Sequence, residues 1–274
     1  MTDTDDVSRE TLRNISVQRF RITPDLEPGT FERELERSSI INMDLDLSAY
    51  FKKYEDLVAT ADAAFDRVKK AHADCVKCGE QCADCCFALF DLTLIEALYI
   101  HHRFNEKFEG SVKVELLEKA NRADRQIYKI KRKAYREFQS GKNEGEILAE
   151  LAFERVRCPL LSEKDLCDLY DYRPLTCRFY GIPTAIGGAG HTCGKSEFKQ
   201  GEQYPTVNLD TIHNQLQQIS AELLRDIKSK NIKLADLLIP MSSAVVMDFD
   251  EVFLGLADAP EEKAPPRRRS RKKR

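Results

Sequence analysis

Eight of the nine cysteines in this chain fall into two groups of four. The first is a dense run, Cys78, Cys82, Cys85 and Cys86, with Cys75 just ahead of it. The second is spread over Cys158, Cys167, Cys177 and Cys193. Neighbours such as Cys85 and Cys86 could be bridged only with strain, so disulfides are a poor account of the run. Thiolates three and four residues apart are what a soft metal ion or an iron–sulfur cluster needs.

Three metal chemistries compete for this pattern. The pairs Cys75-x2-Cys78 and Cys82-x2-Cys85 read as two zinc knuckles feeding one tetrahedral ion. That arrangement leaves Cys86 and the second group for a second ion. An iron–sulfur cluster has a larger core and accepts ligands from a compact loop together with distant segments. The spacing Cys78-x3-Cys82-x2-Cys85 also matches the way radical enzymes hold a cluster for S-adenosylmethionine. That motif belongs after the first strand of a β/α barrel, and no alternation of strands and helices is visible here.

The elements that must position these thiols are mostly helical. Tyr50, Tyr54, Leu57, Ala61, Ala64 and Val68 recur at helical spacing over 49–72, with Ser48 as N-cap, and the helix runs directly into the first cysteines. Thr93 and Glu96 form a capping box for the next helix, which Gly110 is expected to end. A long amphipathic helix over 112–139 carries Leu116, Ala120, Ala123, Ile127, Ile130, Ala134 and Phe138 on one face. Shorter helical signals follow at 144–155, 207–229 and 232–239. Residues 157–205 are punctuated by Gly, Pro and Cys, with a short helix around Cys177 bracketed by Pro174 and Gly181. Beyond Pro240 the periodicity fades. The expected fold class is mainly α: amphipathic helices packed around a cysteine-rich, irregular metal-binding segment. The expected organisation is an extended arm over 1–47, a helical metal-binding domain over 48–240, and a C-terminal segment over 241–274 with a disordered basic tail.

A chain of 274 residues can bury a sizeable core without disulfide staples. Residues 267–274, RRRSRKKR, carry seven bases and no acid; without them 36 bases face 46 acids. Such a tail suits weak contact with nucleic acid or an anionic surface, although no aromatics interleave to stack on bases. No apolar stretch approaches ~18 residues, so no transmembrane segment is expected. The acidic start is no signal-peptide core, which predicts the cytoplasm, where clustered cysteines bind metal rather than pair.

Around the thiols, Arg173 and Arg178 flank Cys177 and could offset thiolate charge or hold an anionic cofactor group, or simply pair with Asp165, Asp168 or Asp171. Tyr170, Tyr172 and Tyr180 read as packing around the site. His191 and His72 are weak candidates as extra ligands, and His101 and His102 are expected at the surface. The glycines of 187–190 lack the strand and helix of a dinucleotide-binding turn and read as a flexible loop that lets Cys193 reach a metal.

The run ending Cys82-Ala-Asp-Cys85-Cys86, then FALFDLTLIEA, then Cys167-x2-Tyr170-x2-Arg173-Pro174-x2-Cys177-Arg178-x-Tyr180, resembles the YkgJ-like, or CxxCxxCC, family of bacterial proteins. The resemblance spans roughly residues 75–195, under half the chain. It implies a zinc- or iron-chelating domain whose eight ligands fall on Cys78, Cys82, Cys85, Cys86, Cys158, Cys167, Cys177 and Cys193, with Cys75 outside the pattern. One branch of that family contains an enzyme that methylates lysines of flagellin, so the resemblance also implies a methyltransferase with an iron–sulfur centre.

Three functions therefore stand side by side. The first is a metalloprotein binding an iron–sulfur cluster or zinc, with a redox or metal-handling role. The second is a protein-lysine methyltransferase-like enzyme acting on a protein substrate. The third is a zinc-stabilised binding module whose basic tail engages a partner.

Overall fold

The computed structural model describes residues 45–80 and 82–257. Gln81, most of the expected N-terminal arm and the basic tail lie outside the described residues. Among the described residues seven α-helices dominate, and they place two cysteine-bearing segments side by side.

Helix α1 (Ser48–Ala71) buries Phe51, Tyr54, Ala61 and Val68 along one stripe. Its N-cap is Leu47 rather than Ser48, and the side chain of Asp46 accepts the Ser48 N–H at 2.9 Å. A short strand β1 (Asp91–Leu92) leads into α2 (Leu94–Lys107), where the Thr93–Glu96 capping box forms as expected. Helix α2 is buried almost all round, from Leu94 to His101 and again at Phe104. An all-round apolar helix belongs at the centre of a core. The Ser220 hydroxyl accepts the orphan Ile95 N–H at 3.2 Å and donates to Leu216 O. Two details differ from expectation. Gly110, with φ +56°, starts the following helix instead of ending this one. His101 is buried, not at the surface. Its Nδ1 lies 3.2 Å from Ala244 O, and its ring meets Phe249 edge-on.

Helix α3 (Gly110–Gln139) buries Leu116, Ala120, Ala123 and Ala134, leaving its charged face to solvent. It is followed by α4 (Glu144–Phe153), the short α5 (Leu175–Phe179) and α6 (Leu209–Asp226). Asn143 and Asn208 cap α4 and α6 through their side chains. The last helix, α7 (Met241–Val246), lies where periodicity fades in the sequence. It is buried on nearly every side, so it has no polar face to reveal it. Ser242 and Ser243 donate to Asp124 of α3 and fix its start. Met247, Phe249 and Leu254 continue the buried positions past this helix.

Helix α2 packs against α1, α6 and α7; α1 also packs against α5, and α3 against α4 and α7. The sheets are small. Strand β1 pairs antiparallel with β5 (Ile239–Pro240), Leu92 opposite Ile239. Strand β2 (Thr184–Ile186) lies between β3 (Ala189–His191), antiparallel, and β4 (Val207–Asn208), parallel. Here the expected flexible loop is corrected. Gly187 and Gly188 form the tight two-residue turn of a hairpin, with φ +55° and +79°, the conformation such turns demand. No helix among the described residues is long and apolar enough to cross a membrane.

Candidate metal centre

The first cysteine run begins where α1 stops. Cys75 and Val76 close a turn back onto His72 O, and Cys82 closes another onto Gly79 O. Residues Asp84–Phe87 form one 3-10 turn that carries both Cys85 and Cys86. The second group is joined to it through the backbone. Cys158 N donates to Cys86 O at 2.7 Å and Val156 N to Phe87 O at 3.0 Å. Residues 158–168 then fold back on themselves: Leu161 bridges Cys167, and Asp168 N donates to Leu160 O. Cys177 sits in the middle of α5, inside the core-facing turn after Pro174. Cys193 follows the β2–β3 hairpin, and Glu197 N reaches Cys75 O at 2.9 Å.

Cys78, Cys82, Cys85 and Cys193 line one small pocket together with Tyr180 and Gly181. Gly181 is essential to that approach. Its φ is +103°, and a Cβ there would stand 2.8 Å from Cys78 Sγ. The Cys78 thiol donates to Tyr180 O at 3.4 Å. Deeper in the protein, Cys158, Cys167 and Cys177 feel one another and Cys85 electrostatically. Cys85 therefore lines the pocket and also raises the thiol pKa of these three.

All nine cysteines are free thiols of intermediate exposure. Burial pushes the Cys78 thiol up to about 11 and Cys158 up to about 12. It also raises Cys167 and Cys177. Cys85 is raised chiefly by its hydrogen bond with Cys86, then by burial. These five thiols are therefore protonated at neutral pH, and any metal they bind must displace those protons. Among the described residues, no three His, Cys, Asp or Glu side chains are gathered closely enough to chelate one ion. The donor chemistry nevertheless fits a thiophilic metal, because soft free thiols from distant segments share one pocket.

The two arginines part company. Arg173 stacks on Tyr170 at 4.0 Å, and its charge favours the ionised forms of Cys78, Cys167 and Cys177. Arg178 is buried, and its donors go to Asp62 Oδ1 and Oδ2, Arg173 O and Asp171 O. The acid that pairs with it is Asp62 of α1, not the nearby Asp165, Asp168 or Asp171 carboxylates. Asp62 looks like any solvated acid on an amphipathic helix, so nothing in the sequence singles it out. Tyr180 O–H reaches Asp84 at 3.4 Å, while Arg103 lies over the Tyr172 ring. His191 is exposed on β3. His72 packs edge-on against Tyr204 and Phe198.

One further residue organises the site. Glu96, buried at the start of α2, accepts the Leu175 N–H at 3.2 Å as well as the Thr93 N–H. Its capping box is legible in the sequence, but its grip on the Cys177 helix is not.

Residues 74–194 match the model of the CxxCxxCC family, described as a putative zinc- or iron-chelating domain. No curated protein and no solved structure matches the chain.

Proposed function

We propose that this chain is a cysteine-cluster metalloprotein whose thiols hold an iron–sulfur cluster or, alternatively, zinc, in a redox or metal-handling role. The observation that carries it is a pocket lined by Cys78, Cys82, Cys85 and Cys193, with the second cysteine segment joined to the first through the Cys158 N to Cys86 O hydrogen bond. The match of residues 74–194 to a zinc- or iron-chelating domain supports the same chemistry. Cys86, hydrogen-bonded to Cys85, completes the set of eight donors.

The protein's part is to supply and orient thiolates. Arg173 lowers the cost of ionising those near it, and Arg178 locks α5 to α1 through Asp62. Gly181 admits Cys78. A bound cluster would contribute one-electron chemistry; a bound zinc would contribute rigidity.

The test is a spectrum of protein purified without oxygen, with iron, sulfide and zinc content. A broad absorption near ~400 nm with several irons and sulfides per chain supports the cluster. Colourless protein with stoichiometric zinc moves the proposal to the zinc form. Protein that holds neither metal after anaerobic reconstitution refutes both.

A further inference from the structure

Helix α3 carries a line of positive charge that the metal centre does not use. Between Arg125 and Arg136 the chain has six Arg or Lys and no Asp or Glu. Four of them, Arg125, Lys129, Arg132 and Arg136, recur every three or four residues and are exposed. That spacing puts them on one line of the helix, opposite the buried Ala120, Ala123 and Ala134. The line runs about 17 Å, with neighbours about 5–6 Å apart.

None of these four side chains has an ion-pair or hydrogen-bond partner among the described residues. The bases beside them do. Arg122 lies 3.6 Å from Glu118, Lys131 lies 2.6 Å from Asp91, and Lys133 lies 3.8 Å from Glu137. Like charges three and four residues apart destabilise a helix, so the line calls for a cause. The helix dipole is not that cause. It favours bases within the last turn, and Arg125, Lys129 and Arg132 stand before that turn. Solubility is no cause either, because mixed signs serve it.

Two aromatic rings flank the line. Tyr128 is 42% exposed, and the half-buried Tyr135 follows seven residues later on the same side of the helix. Among the described residues neither ring meets another ring or a cation, and neither hydroxyl has a hydrogen-bond partner. Tyr128 is three residues from Arg125 and four from Arg132, so it borders both.

We propose that this face of α3 binds single-stranded nucleic acid without regard to sequence, with Arg125, Lys129, Arg132 and Arg136 on phosphates and Tyr128 against a base. The guanidinium fork matches a phosphate, and three of the four bases are arginines. An exposed ring beside a basic track offers the stacking that every base accepts. A lipid surface fits less well. An interfacial helix sinks its apolar face into lipid, and the apolar face of α3 is already spent on the core. The proposal involves no cysteine and no metal, so it stands or falls apart from the metal reading.

The experiment follows fluorescent oligo(dT) and oligo(U) by anisotropy with the full chain, under reducing conditions and across a salt series. For wild type, log Kd rises with log salt at a slope of at least about 3, from ~0.7 per phosphate contact on a single strand. The variant carrying Arg125→Ala, Lys129→Ala, Arg132→Ala and Arg136→Ala keeps its helix, since Ala is the best helix former, and circular dichroism and the unfolding midpoint verify it. It binds at least about tenfold more weakly and loses most of the slope. Tyr128→Ala weakens binding about tenfold with the slope unchanged. With every base of 267–274 replaced by Ser, the four alanines still cost the same factor. This pattern with either oligonucleotide supports the proposal, and the tighter of the two names DNA or RNA as the strand. Wild type that binds neither at low salt overturns it. So does a folded four-alanine variant that binds as wild type does, or a loss that appears only when the tail bases are removed. Duplex DNA or polyglutamate bound as tightly as oligo(dT) overturns it too, as does adsorption to phosphatidylserine vesicles without binding of either oligonucleotide.

Discussion

Glu96 and Leu175 are joined by a hydrogen bond of 3.2 Å, from the Leu175 N–H to Glu96 Oε1. They are 79 residues apart in sequence. One buried carboxylate thereby caps two helices, its own α2 through Thr93 and the cysteine-bearing α5 through Leu175. Glu96→Ala leaves both sets of N–H groups unpaired in the core. The expected loss is on the order of 2–3 kcal/mol in denaturant unfolding. Glu96→Gln keeps the acceptor oxygen for one helix and loses about half as much. Equal stability of all three proteins would remove Glu96 from this role.

Gly181 allows Cys78 and α5 to touch. Gly181→Ala introduces a Cβ at 2.8 Å from Cys78 Sγ on a backbone with φ +103°. The strain costs about 2 kcal/mol. It also pushes Cys78 away from Tyr180 O. Metal content is expected to fall with stability, and Gly181→Ser is expected to behave the same way. Gly188→Ala, by contrast, has open space around it and disturbs only the hairpin turn.

His101 sets an acid limit on the fold. Burial holds its pKa down to about 4, against an ordinary 6.5. The neutral ring is the form the core accepts. Its contribution is complete above pH 6.5, is lost as pH falls from 6.5 toward 4, and changes no further below that. The whole shift amounts to roughly 3 kcal/mol. Chemical denaturation of metal-free protein across pH 4–7 shows this slope, and His101→Asn flattens it.

The thiols are not equivalent. Cys85 lines the pocket and bears electrostatically on Cys177, whereas Cys75 lies outside the eight-cysteine pattern. Cys85→Ser is expected to abolish stoichiometric metal binding, measured as iron and zinc per chain after anaerobic purification. Cys75→Ser is expected to leave it intact. The reverse order would break the assignment of the donors.

How much of this was legible in the sequence depends on the range of the interactions involved. Helices α1, α3 and α6 announce themselves because one face is buried and the other wet, a periodicity read within a dozen residues. The Thr93–Glu96 box and the Pro174–Gly181 bracket are local in the same sense. The spacing of Cys78, Cys82, Cys85 and Cys86 points to a metal-chelating domain without any fold at all, and residues 74–194 match the model of such a domain. The buried α7 and the buried His101 were hidden, since a segment enclosed on all sides has no polar face to set its period. The hairpin at Gly187–Gly188 was hidden because two three-residue strands are too short to alternate visibly.

What only the tertiary structure decided is which groups meet. Residue types and spacing point the thiols toward a soft metal; they say nothing of Cys158 N bonding Cys86 O, of Asp62 holding Arg178, or of Glu96 capping the Cys177 helix. Those pairings cross tens of residues and follow from how α1, α2 and α5 pack. Packing depends on the shapes of all the buried side chains together, and no local pattern encodes that.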